Sequence, residues 1–315
     1  MQNLTNEIQK EVNRVILGKE DVVRKVLLAI LARGHVLLED VPGVGKTTMA
    51  MAFAHVLGLD TRRVQFTSDT LPSDIIGFSV YDSHNGTLQY QNGAVMTNLL
   101  LADEINRTSS KTQSALLEAM EERQVTVDGV TRPLPRPFVV LATQNPVGSA
   151  GTQMLPTSQL DRFLLQLHMG YPDIYSQMLL MKDRHHENPL NNCHAVVDTQ
   201  TLEKLCDEAM DTYVADSVYT YIAELAEATR KTQDVLLGLS PRGALALCRA
   251  AKANAYLNGC DYVTPDDVTA VLQDVAGHRL VLSAKARLHE RTAQQVLEDV
   301  LVQVKRPDVR ELKIK

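Results

Sequence analysis

Four short runs of this 315-residue chain carry the residue types from which phosphoryl chemistry is built. The first is HVLLEDVPGVGKTTMA, His35 to Ala50, an apolar run that enters a glycine-bearing loop and then Gly45-Lys46-Thr47-Thr48. Glycines let successive backbone N–H groups point into one concavity, and a helix N-terminus adds partial positive charge, so the segment suits a phosphate. Lys46 can reach the β and γ phosphates of a nucleotide, and the Thr47 hydroxyl can coordinate Mg²⁺. The strict GxxxxGK[ST] spacing asks for glycine where Asp40 stands, a residue that tolerates tight turns and left-handed backbone. The second run is NLLLADEINR, Asn98 to Arg107. A buried strand that ends in adjacent carboxylates needs a cation or water there. Asp103 would hold Mg²⁺, directly or through water, and Glu104 would polarise an attacking water.

The third run, FVVLATQNP (Phe138–Pro146), ends an apolar strand in Gln144-Asn145. An amide there can touch a γ-phosphate or help position the water; equally, Asn before Pro is an ordinary turn. The fourth is SQLDRFLLQL, Ser158 to Leu167. Arg162 either pairs with Asp161 or projects into the nucleotide of a neighbouring subunit, and spacing does not choose between them.

These residues need a scaffold that brings strand ends together. HVLLE (His35–Glu39), RVQFT (Arg63–Thr67), LLLAD (Leu99–Asp103), FVVLAT (Phe138–Thr143) and FLLQL (Phe163–Leu167) are short and almost wholly apolar. That is the pattern of strands buried on both faces of a parallel sheet. Helical patterns at Thr47–Leu57 and Thr112–Arg123 supply βαβ crossovers. In such sheets ligands gather at the carboxyl ends of the strands. After about Tyr171 the strands stop, and Asp173–His185, Thr201–Tyr213, Val218–Thr232, Pro241–Asn258, Pro265–Ala276 and Ala286–Val304 read as helices. Ser240-Pro241 and Thr264-Pro265 pair a cap residue with proline at the first helical position. An amphipathic helix at about Leu4–Leu17 precedes the sheet. The expected division is an α/β core over residues 1–170, a hinge over 171–192 and an all-helical domain over 193–315.

Composition narrows the function. The length suits two domains or three. The formal net charge is −6 and neither half is basic; aromatics are 4% of residues and tryptophan is absent. A large nucleic-acid footprint and a base-stacking platform are both disfavoured. Val26–Ala32, the longest apolar run near the start, falls far short of the ~20 residues that cross a bilayer, and the N-terminus does not read as a signal peptide. Four cysteines without CxxC spacing and histidines without metal-ligand spacing read as ordinary side chains. The expected location is the cytoplasm, and the basic end Lys305–Lys315 reads as solvated.

Taken in order, Lys46-Thr47, Asp103-Glu104, Asn145, Asp161-Arg162 and LSPRGALAL (Leu239–Leu247) resemble an AAA+ ATPase. The strings LLEDVPGVGKT, LLLADEINR, ALLEAMEERQVTVDG, ATQNP and LDRFLLQL are similar to the MoxR family in particular, which is related to magnesium-chelatase motor subunits. The resemblance implies a P-loop core followed by a helical lid, with ATP and Mg²⁺ as cofactors. It makes Val41–Thr48 a Walker A segment, with Pro42, Gly43, Val44, Gly45, Lys46, Thr47 and Thr48 on the nucleotide. Asp103 and Glu104 become Walker B, with Thr47 and Asp103 on Mg²⁺ and Glu104 the catalytic carboxylate. Asn145 takes the sensor 1 position. Arg162 takes that of an arginine finger acting on the adjacent protomer, and Arg242 that of sensor 2, reaching from the lid to the γ-phosphate. Arg107 follows Walker B as in the family, with its role open. Phe78–Ala94 matches the family's insertion in the second helix, and Gln124–Pro137 its hairpin before sensor 1, turning at Asp128-Gly129. Such loops face a pore or a partner. The implied assembly is a homo-oligomer, a hexameric ring, that remodels a protein client with a von Willebrand type A partner. A nucleotide-gated scaffold with negligible hydrolysis is the alternative, and a nucleic-acid motor a more distant one.

Overall fold

The computed structural model describes residues 2–39, 43–144, 154–183 and 189–308. Two helices, α1 (Gln2–Val15) and α2 (Glu20–Leu31), lead into β1 (Val36–Glu39) and α3 (Lys46–Val56). Next come β2 (Thr61–Gln65), α4 (Pro72–Ile76), the hairpin β3 (Phe78–Asp82) to β4 (Thr87–Gln91), β5 (Leu99–Asp103) and α5 (Ser110–Glu122). A second hairpin, β6 (Gln124–Val127) to β7 (Val130–Pro133), precedes β8 (Val139–Gln144), α6 (Thr157–Leu160) and β9 (Leu165–Leu167). The remainder holds α7 (Ile174–Asp183), α8 (Thr199–Asp211), α9 (Asp216–Lys231), β10 (Val235–Leu237), α10 (Pro241–Leu257), α11 (Pro265–Ala276), β11 (Val281–Leu282), α12 (Ala284–Leu288) and α13 (Ala293–Gln303).

Five strands form one parallel sheet in the order β2-β5-β8-β1-β9. Successive residues of a strand face opposite sides, and here both sides are apolar. Val36, Leu38, Leu99, Leu101, Val139 and Leu141 join one core with α1, α2, α3 and the C-terminal helices. Leu37, Leu100, Ala102, Val140 and Ala142 join a second core with α5. This double burial makes β1, β5 and β8 read as near-continuous apolar runs, whereas the edge strand β2, expected from sequence as a doubly buried strand over Arg63–Thr67, spans Thr61–Gln65 and is half-buried or exposed throughout.

At the entrance to β1, His35 is buried, with Nδ1 accepting from the Val140 N–H at 3.0 Å and Nε2 lying 3.2 Å from the Met120 carbonyl oxygen. These contacts suit a neutral ring, and burial pushes its pKa down to about 4. Between that value and the ordinary ~6.5 the unfolded chain binds a proton that the native chain refuses, so stability falls as pH drops through this window. At pH 5 His35 is expected to cost the wild type about 2 kcal/mol relative to pH 7. Urea melts of the wild type and His35→Gln at both pH values check this; equal pH slopes would contradict it.

The C-terminal part departs from the all-helical expectation. β10 and β11 pair antiparallel, Val235 with Leu282 and Leu237 with Val281. Segments of three and two residues carry too little period to be seen in sequence. The helix expected over Ala286–Val304 is two helices, broken where Glu290 takes φ 54° and Thr292 caps α13 in a reciprocal box with Gln295. Helix α2 lay hidden in an apolar run; it buries Val22, Val23 and Val26 to Leu31 and carries Arg24 to Asn254 and Asn258, each at 2.8 Å. Among the described residues no helix is long and apolar enough to cross a membrane.

Candidate active site

The carboxyl ends of β5 and β8 and the N-terminus of α3 enclose a cleft of about 320 Å³, lined among others by Gly43, Lys46, Thr47, Thr48, Asp103 and Glu104. Gly43 and Gly45 have φ of 87° and 96°, and a Cβ on either would meet nothing within 4 Å. Glycine is therefore required by backbone conformation and not by crowding. Gly45 caps α3, so Lys46, Thr47 and Thr48 form its first turn, where backbone N–H groups have no helical partner. Lys46 is buried. Pro42, with Asp40 and Val41, lies outside the described residues, as does Asn145.

Asp103 closes β5 and is buried. It accepts from Arg63 Nε at 2.7 Å and from the Thr143 hydroxyl at 3.3 Å. Thr143 in turn accepts the Glu104 N–H at 2.9 Å. Glu104 sits in left-handed backbone, φ 56° and ψ 46°, a conformation that disfavours a residue with a Cβ. Its carboxylate accepts from Arg107 Nη1 at 2.7 Å. Three residues lining this cleft, Arg63, Gln65 and Thr143, were missed in the sequence. Thr143 is the polar residue in the apolar run of β8, and Arg63 lies on β2, whose register sets Gln65 beside Asp103. The buried lysine, the first-turn N–H groups of α3, the threonine hydroxyls and the carboxylate at the strand end together fit a polyphosphate carrying a divalent cation. No cluster of three or more His, Cys, Asp or Glu side chains that could hold a metal occurs among the described residues, and the four cysteines are free.

Arg162 and Arg242 lie elsewhere. Arg162 Nε donates to Glu121 at 2.8 Å, and Arg242 Nη2 reaches the other oxygen of the same carboxylate. Asp161, the alternative partner for Arg162, pairs instead with Arg279 Nε at 2.7 Å and accepts from the Ser240 hydroxyl at 3.2 Å. The two arginines line a second cleft with Gly34, His35 and Leu164. The Leu164 N–H donates to the His35 carbonyl at 2.8 Å, which sets this cleft at the amino end of β1. The phosphate cleft lies at the other end of the sheet. At ~3.3 Å per residue, β1 alone separates the two ends by roughly 13 Å. Arg242 therefore lies about a strand length from the Lys46 cleft of its own chain. Helix α10 packs across α2 and α8, and its first turn faces Glu121 at the end of α5.

The sequence and the fold have relatives. Residues 35–165 match the family described as "ATPase family associated with various cellular activities (AAA)", and residues 227–300 match "AAA lid domain". The chain is thus an AAA-type ATPase core with its lid. It is 40% identical to Chaperone MoxR1 of Mycobacterium tuberculosis over 95% of this chain and 81% of that protein. To Protein MoxR of Methylorubrum extorquens it is 30% identical over 93% and 91%. The crystal structure of an inferred ATPase from Cytophaga hutchinsonii superposes with a TM-score of 0.91 at 38% identity, covering 98% of this chain and 96% of that one. The chain belongs to the MoxR family of AAA ATPases.

Proposed function

We propose that this chain is a Mg²⁺-dependent ATPase working as a closed ring of identical copies, in which each active site is completed by the next copy. The observation that carries the reading is the separation of the two clefts: Lys46, Asp103 and Glu104 at one end of the sheet, Arg162 and Arg242 converging on Glu121 at the other. Cations required at a phosphate but held a strand length away from it can serve only a second molecule.

In this reading Gly43, Val44, Gly45, Lys46, Thr47 and Thr48, with Pro42, hold the triphosphate, and Thr47 and Asp103 hold the metal. Mg²⁺ would draw charge off the β and γ phosphates and so favour departure of the diphosphate. Glu104 and Asn145 orient the water. Arg162 and Arg242 leave Glu121 and spread over the γ-phosphoryl oxygens of the neighbour, where charge accumulates in a loose transition state. Residues 1–170, 171–192 and 193–315 then act as core, hinge and lid.

The output is remodelling of a protein client with a von Willebrand type A partner, a reading supported on its chaperone side by the name of the relative Chaperone MoxR1. The hairpin β3–β4 presents Phe78, Val80, Tyr81 and Leu88 to solvent, a surface suited to a protein partner. Arg132 of β7 stacks 4.0 Å over the Tyr90 ring of β4, so the two hairpins touch.

Lys46→Ala tests the phosphate cleft. Calorimetry is expected to find ATP binding weakened at least ~100-fold, the scale for losing one charge-assisted contact in a partly dry site. Unchanged affinity would remove this cleft from the reading. Turnover per chain should also climb with protein concentration; a flat profile would exclude the shared site.

A further inference from the structure

The cleft that Arg162 and Arg242 open onto carries more positive charge than its carboxylates balance. Six arginines line it: Arg33, Arg123, Arg162, Arg242, Arg249 and Arg279. Its two carboxylates are already engaged, Asp161 by Arg279 and Glu121 by Arg162 and Arg242. Arg33 turns outward to Glu203 at 2.9 Å and Asp207 at 2.7 Å. Two guanidiniums remain. Arg123, in left-handed backbone at the end of α5, donates to the Arg33 carbonyl at 2.9 Å and meets no carboxylate among the described residues. Arg249, on the third turn of α10, meets neither a carboxylate nor a hydrogen-bond acceptor among them.

Such a pair is poor design for an empty surface. Arg123 is half-buried in the cleft wall, and the Arg249 side chain stays open to solvent at its rim. Burial, then the charges of Arg33 and Arg136, lower the pKa of Arg123; burial, then those of Arg123 and Arg242, lower that of Arg249. Like charges gathered against the apolar Leu164 and Ala246 repel each other unless an anion is present. The uncompensated charge is two, the space is about 140 Å³, and guanidinium forks match tetrahedral oxyanions.

We propose that Arg123 and Arg249 form a binding site for a phosphate-class dianion that ties the core, through α5, to the lid, through α10. The dianion can be the terminal phosphate of a nucleotide held by the adjacent copy, or free phosphate or pyrophosphate; only the first source rests on the ring reading above.

The first arm of the test removes the phosphate cleft with Lys46→Ala and follows thermal unfolding of the full chain in 10 mM pyrophosphate against chloride at equal ionic strength. A rise of ~3 °C is expected, as for a ligand well above its Kd. It should vanish when Arg123→Gln and Arg249→Gln are added and persist in part when Arg249→Lys is added instead, which separates lost charge from a damaged fold. No rise over chloride, or a full rise in the triple variant, overturns the site. The second arm assigns the source from Arg249→Gln alone. A turnover at least ~10-fold lower with unchanged ATP affinity identifies the neighbour's phosphate; unchanged turnover with a lost pyrophosphate response identifies a free anion. The ring reading is judged separately, by complementation between inactive variants.

Discussion

Arg162→Ala is expected to bind ATP as the wild type does and to hydrolyse it ~10³-fold more slowly or worse. Affinity should survive because the phosphate cleft, with Lys46 and the first turn of α3, lies at the far end of the sheet and contains no atom of Arg162. Turnover should fall because a guanidinium that meets the γ-phosphoryl group only across a subunit boundary acts on charge developing in the transition state. The side chain is held ready for that task. Glu121 accepts its Nε at 2.8 Å, and the Ser158 carbonyl accepts Nη1 at 3.3 Å. Complementation makes the test specific. Arg162→Ala keeps an intact Glu104, and Glu104→Gln keeps an intact Arg162. Random mixing should give about a quarter of the interfaces one good half from each chain, and activity should return in that proportion. Normal hydrolysis by Arg162→Ala alone would remove the finger assignment, and a mixture that stays inactive would confine both residues to one chain.

Glu104→Gln is expected to hold ATP and leave it uncleaved, with turnover down ~10²–10⁴-fold, the range for loss of a positioned general base. The exchange is close to isosteric. It preserves the left-handed turn after β5 and the N–H bond to Thr143. What disappears is the negative charge that, in the proposed function, orients water and takes up its proton. Arg107, 2.7 Å from this carboxylate, would then face a neutral amide, so the variant should also show whether that pair aims Glu104. Single-turnover phosphate release is the decisive measurement, and release at the wild-type rate would remove Glu104 from the chemistry. The stalled variant is also the form in which to look for a co-purifying client.

Most of the phosphate cleft was legible in the sequence because its parts are local. A glycine loop, a lysine and a threonine within a few residues of one strand cannot be separated by folding. Strand ends in a parallel sheet converge whatever the intervening crossovers do. Where the sequence was silent, the partner came from another strand. Arg63 and Thr143 reach Asp103 from β2 and β8, and neither carries a local motif. In the lid, the pair β10–β11 and the break before Thr292 escaped detection because very short strands and a capping box inside an apolar period leave little trace.

The sequence by itself determined the chemistry available: a glycine loop with a lysine and threonines, and paired carboxylates at a buried strand end. Tertiary structure alone decided which cleft each arginine lines. The packing of α10 over α2 and α8 turns Arg242 toward Glu121, beside Arg162 and a sheet's length from Lys46. The physical reason is range. Periodicity reports what a residue does within its own element, whereas the distance between two charges depends on how whole elements pack.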